Sequence, residues 1–355
     1  MLHGTANKQE RWLVTGATGF IGSHVVEALV QRHQAVVALA RPASDVSALE
    51  AWGVEIVRGD LGDAAALERA CRDVQIIVHC AARVGDWGPV DDYRRVNVEG
   101  LRQLLEAARR QPIRRFIHIS SLGVYAARDH YGTDESEPLP ERHIDGYTQT
   151  KVEAERLARQ YLEQYAVPIV ILRPGFVYGA RDRIVLPRLL EALAQGQVRY
   201  LGSGEQAMNT IYVANLVQAI LLAAEVPQAV GQVYNLTDGE YVSKRRFFET
   251  LARVAELPPP SRRVPRWLAR MVAHVMEAWA RWRGSPEPPR LTQARVKFLG
   301  LHLDFSIEKA RRELGYQPES ALEKGLREAV AWYRQQQAAA AQKPAVAPSL
   351  SATTS

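Results

Sequence analysis

Residues 11 to 23, RWLVTGATGFIGS, decide how the rest of the 355-residue chain is read. The apolar run Trp12 to Thr15 leads straight into glycines at 16, 19 and 22, and from Ile21 to Arg32 apolar residues recur every third or fourth position. That order is a strand, a tight turn and a helix. Glycines let the chain turn sharply and let backbone N–H groups approach a ligand, while the start of a helix carries partial positive charge. A pyrophosphate suits such a place. Gly16, Thr18, Gly19, Phe20, Ile21 and Gly22 are therefore candidate dinucleotide-binding residues. An isolated glycine triplet is usually an ordinary turn, but here strand, spacing and helix agree.

Outward from this loop the same alternation continues. Strand candidates follow at Ala35 to Ala40, Val54 to Val57, Gln75 to His79, Arg115 to Ile119 and Ile169 to Leu172. Helical patterns lie between them at Ala64 to Cys71, Tyr93 to Arg110 and Gly146 to Tyr165. Alternating strands and helices with short connections predict an α/β fold, a doubly wound parallel sheet. Residues 11–180 form the expected nucleotide-binding domain, completed by parts of 211–240, with residues 181–335 as a smaller, mostly helical substrate-binding part. Residues 1–10 are expected to be flexible and 336–355 to be a disordered tail.

Composition excludes several classes. No apolar run approaches the roughly 20 residues that span a bilayer, and the N-terminus lacks a signal-like apolar core, so a cytoplasmic location is expected. Cys71 and Cys80 make no disulfide framework and no metal box, so both read as reduced core residues. No metal is expected from the scattered histidines; His79 and His118 read as packed strand-end residues. The net charge of +6 is spread along the chain, which argues against nucleic acid as a partner.

The second strand ends in Ala40-Arg41-Pro42, where an acid would meet a ribose 2′-hydroxyl. A guanidinium there suits a 2′-phosphate instead, so NADP(H) is the expected cofactor, with NAD as the alternative and a merely solvated Arg41 as the plain reading. Asp60 and Leu61, after the third strand, are placed to meet the adenine edge, although Asp60 equally suits a helix N-cap.

The fifth strand ends in Ser120-Ser121, and Tyr147 and Lys151 lie four apart on a helix, hence on one face. A phenol of pKa about 10 needs help to transfer a proton near neutral pH, and an adjacent ammonium supplies it. Ser121 can donate to a substrate oxygen, and Lys151 can also hold ribose hydroxyls.

With these residues in view, the sequence resembles the extended short-chain dehydrogenase/reductases of the NAD-dependent epimerase/dehydratase superfamily, which share a Rossmann-type fold. The resemblance rests on TGATGFIG at 15–22, HCAA at 79–82, VNVEG at 96–100, SSLGVY at 120–125, YTQTK at 147–151 and LRPGFVYG at 172–179. It covers about residues 11–330 and implies a Ser121, Tyr147, Lys151 triad, with Ser120 as the alternative serine. It also implies that Asn97 supports the active-site helix, that Ala81 and Ala82 line the dinucleotide, and that Pro174, Gly175 and Val177 close over the nicotinamide. A homodimer is a further family expectation. Sugar-nucleotide members typically carry an arginine in the segment that reads MNTIYVAN at 208–215; this sequence lacks it and is similar to the 3β-hydroxysteroid dehydrogenase-like branch. An oxidoreductase of a secondary alcohol or ketone on an apolar, steroid-like or long-chain β-keto/hydroxy substrate is implied. Nucleotide-sugar epimerisation or dehydration is the alternative, and a non-catalytic cofactor sensor a more distant one.

Residues 262–283 form a basic amphipathic segment. Trp267, Leu268, Met271, Val272, Val275, Met276, Trp279 and Trp282 share one face, and Arg266, Arg270, His274, Glu277 and Arg281 the other. Such a helix suits a peripheral membrane contact, a lid over a greasy pocket, or ordinary packing of its apolar face on the core.

Overall fold

In the computed structural model, which describes residues 10–342, the strand candidates assemble into one seven-stranded, fully parallel sheet. Its strands are β1 (Arg11–Thr15), β2 (Ala35–Ala40), β3 (Glu55–Arg58), β4 (Ile76–His79), β5 (Arg115–Ile119), β6 (Ile169–Pro174) and β7 (Val233–Leu236). The spatial order is 3-2-1-4-5-6-7. Chain order reverses between β1 and β4, and in open sheets of this kind ligands bind at that switch, outside the carboxyl ends of the strands.

Both sheet faces are buried, which is why the strands read as apolar runs rather than alternating ones. Helix α1 (Phe20–Gln31) and the helix Val213–Glu225 cover one face. The other is covered by helices Ala64–Cys71 and Gly100–Ala108 and by α2 (Gly146–Tyr165). Residues 181–335 contribute α3 (Arg266–Trp282), α4 (Gln293–Gly300) and the first part of α5 (Leu322–Gln342).

Three expectations are corrected. The helix expected over Tyr93 to Arg110 is Val90–Arg94 and Gly100–Ala108, joined by a π-helical turn at Arg95–Glu99. Helix α5 carries on through Gln342, so the tail expected from 336 begins as helix; its alanine run has the highest helix propensity and extends a helix already docked at Leu322, Leu326, Ala329 and Val330. The rest of that tail, and 1–9 of the expected flexible N-terminus, lie outside the described residues.

The third concerns α3. Its inward face is Ala269, Ala273, Glu277 and Ala280, whereas Trp267, Met271, Val275, Trp279 and Trp282 stand exposed, Trp282 at 82%. Small side chains let α3 lie close against α4, with Ala269, Ala273 and Val296 buried together with Leu201. Glu277 is buried rather than solvated, its carboxylate accepting from Gln293 N at 2.7 Å and pairing with Arg281 at 2.8 Å.

Candidate active site

The glycine loop needs its glycines for space. Gly16 has φ +70°, and a Cβ there would meet Ala81 N at 2.8 Å; a Cβ at Gly22 would come within 2.1 Å of the Gly16 carbonyl oxygen. Loop, β4 end and helix start are thus packed backbone to backbone. No side chain caps α1. Its first N–H groups are left for a ligand, as a pyrophosphate requires.

This loop opens into a continuous cleft of about 2680 Å³, large enough for a dinucleotide and a substrate. Among the residues expected to touch the cofactor, Gly16, Thr18, Gly19, Phe20, Ile21, Gly22, Arg41, Asp60, Leu61, Ala81, Ala82, Gly175 and Val177 line it, as do Ser121 and Tyr147. Cys80 packs against the core and lines the cleft as well, and burial pushes its thiol up to about 12.

Four expected residues stand behind the lining. Pro174 ends β6 within the buried wall. Ser120 is buried and donates to Glu155 at 2.5 Å, whereas Ser121 lines the cleft. Asn97, in the π-helical turn, accepts from Arg83 N at 2.8 Å and donates to Thr150 Oγ1 at 3.0 Å, so it ties the loop after β4 to α2. Lys151 is buried and donates to the Ile119 carbonyl at 2.8 Å.

Asp63, not Asp60, caps the helix after β3, accepting from Ala66 N at 2.9 Å; Asp60 instead accepts from Gly62 N at 2.7 Å. His79 and His118 stack at 5.6 Å as packed residues. Burial, and secondarily Lys151, lower the pKa of His79 to about 3, and the same causes push His118 well down, so both are neutral.

The electrostatics of the pair differ from the sequence reading. Burial pushes the Tyr147 phenol up to about 12, Asp145 adds to this, and a hydrogen bond with Ser121 pulls it partly back. Burial also brings Lys151 down to about 8. The ammonium sits 5.9 Å from the Tyr147 ring centre and donates to the Ile119 carbonyl, and desolvation outweighs the expected acidifying effect. At neutral pH Tyr147 keeps its proton.

Sequence reasoning missed the network behind the site. Arg173 and Glu155, both almost fully buried, pair at 2.6 Å; Arg173 also donates to the Tyr125 hydroxyl at 2.8 Å, which donates to Asn235 at 2.9 Å. Only the conspicuous arginine in an apolar strand run hinted at it.

The model of the NAD dependent epimerase/dehydratase family matches residues 12–237. The chain is 34% identical to a 4-hydroxy-2-methyl-3-oxo-4-farnesyl-3,4-dihydroquinoline-1-oxide ketoreductase of Stigmatella aurantiaca, over 89% of this chain and 94% of that protein. It is 32% identical to a 2-alkyl-3-oxoalkanoate reductase of Stenotrophomonas maltophilia, over 89% and 97%. Similarity to a 3 beta-hydroxysteroid dehydrogenase/Delta 5-->4-isomerase of Mycobacterium tuberculosis is also 32%, over 91% and 90%. Among solved structures, that of gox2253 superposes with a TM-score of 0.78 at 31% identity, covering 92% of this chain and 98% of that one.

Proposed function

Since the chain belongs to the NAD dependent epimerase/dehydratase family, we propose that it is an NADP(H)-preferring oxidoreductase interconverting a ketone and a secondary alcohol on an apolar, steroid-like or long-chain β-keto/hydroxy substrate. One observation carries this reading. A single cleft joins the glycine loop, Ser121 and Tyr147 to apolar side chains from the C-terminal part, among them Leu268, Val272, Phe298 and Phe305.

When bound, the dinucleotide supplies the hydride to the carbonyl carbon or takes it back from the alcohol. Ser121 donates a hydrogen bond to the substrate oxygen, and Tyr147 hands that oxygen its proton. The protonated phenol is the form that reduction requires. Lys151 positions α2 through Ile119 and is placed, by the family pattern, to hold ribose hydroxyls. The NADP(H) preference is supported by Arg41, which lines the cleft and is exposed, and whose guanidinium has no hydrogen bond or ion pair among the described residues. Arg58 steadies the backbone beside it, donating to the Ser44 carbonyl at 2.9 Å.

We also read the outer face of α3 as a peripheral contact with an anionic lipid surface. Its exposed tryptophans are flanked by exposed Arg262, Arg263, Arg270 and Arg283, while Leu268 and Val272 of the same helix line the cleft. Among the described residues no helix is long and apolar enough to cross a membrane. A cytoplasmic protein that touches the membrane from its surface, and a homodimer, accord with this reading.

Turnover coupled to NADPH, offered 3-oxo acids, 3-ketosteroids, UDP-glucose and UDP-glucuronic acid, tests the reaction. Reduction of an apolar ketone that Tyr147→Phe abolishes, with dinucleotide binding retained, is the expected result. Conversion of a sugar nucleotide instead, or no hydride transfer with any ketone or alcohol, overturns the reading.

A further inference from the structure

We propose that Lys297 is an anion-binding residue of the substrate cleft and takes the carboxylate of a 3-oxo acid, whose ketone lies two carbons away at Ser121 and Tyr147. The inference rests on the function proposed above and narrows its substrate class.

Lys297 belongs to α4, yet it lines the cleft together with Ser121, Gly123, Tyr125 and Tyr147. Its Nζ donates to the Gly123 carbonyl at 2.8 Å and lies 3.4 Å from the Tyr125 carbonyl. Gly123 in turn donates through its N–H to Ser121 Oγ at 3.0 Å. A single residue of backbone therefore separates the ammonium from the serine that would hold the ketone oxygen. That spacing suits a short, two-ended ligand, with a carbonyl at one end and an anion at the other.

The ammonium lacks an anion of its own. Among the described residues no ion pair reaches Lys297, although 25 join other cations to carboxylates. Asp145 is the acid whose charge it feels. That carboxylate is committed to the start of α2, accepting from Thr148 N and from Thr148 Oγ1, each at 2.8 Å. Leu122, Leu303 and Phe305 line the cleft with Lys297, and the two histidines that feel its charge, His130 and His143, are both held below their ordinary pKa, chiefly by burial. A cation with two carbonyl contacts has a third proton to give, and a part-buried ammonium with no ion-pair partner of its own favours an anionic ligand. The reductase of 2-alkyl-3-oxoalkanoates among the relatives acts on molecules of this kind by name.

The experiment compares a 2-alkyl-3-oxo acid with its methyl ester in the NADPH-coupled assay, in the full chain and in Lys297→Met and Lys297→Arg. Loss of a charge-assisted hydrogen bond should cut the acid-to-ester ratio of kcat/KM about 10- to 100-fold in Lys297→Met, mostly through KM for the acid. Lys297→Arg should restore most of it. If Lys297 only braces the Gly123 loop, both substrates suffer alike and the ratio stays put, which overturns the proposal. A second readout needs no turnover: the corresponding 3-hydroxy acid should raise the unfolding temperature of the NADPH-loaded protein, and Lys297→Met should lose that rise. Binding that depends on Lys297 without any reduction would refute the proposed function alone, whereas reduction of the acid with an unmoved ratio would refute this subsite alone.

Discussion

Lys151 donates to the main-chain carbonyl of Ile119 at 2.8 Å, so the helix that carries Tyr147 is pinned to the end of the strand that leads into Ser121. The bond ties the helix bearing Tyr147 to that strand end, and it holds a cation where water is scarce. Burial brings that ammonium down to about 8 from its ordinary 10.5.

A stability prediction follows with a definite sign. The folded protein holds the Lys151 proton less tightly than the unfolded chain, so a cost is present in full below about pH 8 and is relieved as pH rises toward 10.5. Lys151→Met removes the cost and one hydrogen bond. Without dinucleotide, the variant should be more stable than its parent at pH 6 to 7, on the order of 2 kcal/mol, and the difference should shrink through the alkaline window. Urea unfolding at a series of pH values measures this; a pH-independent difference would contradict it.

Arg173 and Glu155 call for the opposite outcome. Their pairing at 2.6 Å is buried and shared with Ser120 and Tyr125, so removing one partner strands a charge in the core. Arg173→Met should cost about 3–5 kcal/mol by chemical denaturation. Changing Glu155→Gln in the same chain should recover part of the loss, because no unpaired carboxylate then remains.

The proposed NADP(H) preference rests on the exposed side chain of Arg41. Arg41→Asp should weaken NADPH about 10- to 100-fold and leave NADH no weaker, as read by fluorescence titration. Equal affinities for the two dinucleotides in the parent would remove the basis for the NADP(H) preference.

The outer face of α3 can be tested without substrate. Replacing Trp267, Trp279 and Trp282 together by serine should abolish co-sedimentation with vesicles containing phosphatidylserine and leave dinucleotide binding intact. Neutral vesicles should bind the parent more weakly. A change in molecular mass with unchanged vesicle binding would instead identify the ridge as the face of a dimer.

What the sequence determined by itself was local or periodic: the glycine loop between β1 and α1, the parallel alternation, and the four-residue spacing of Tyr147 and Lys151. These need only neighbours along the chain, so residue type and spacing suffice. Tertiary structure alone decided what each face meets. Periodicity grouped the tryptophans of α3 correctly, but close approach to α4 selected the alanine side for burial. The same holds for Tyr147, where desolvation by surrounding elements outweighed the nearby ammonium, and for Lys297, whose contact with Gly123 spans 174 residues. Burial and long-range hydrogen bonds depend on what the fold brings alongside, and no spacing within one element encodes that.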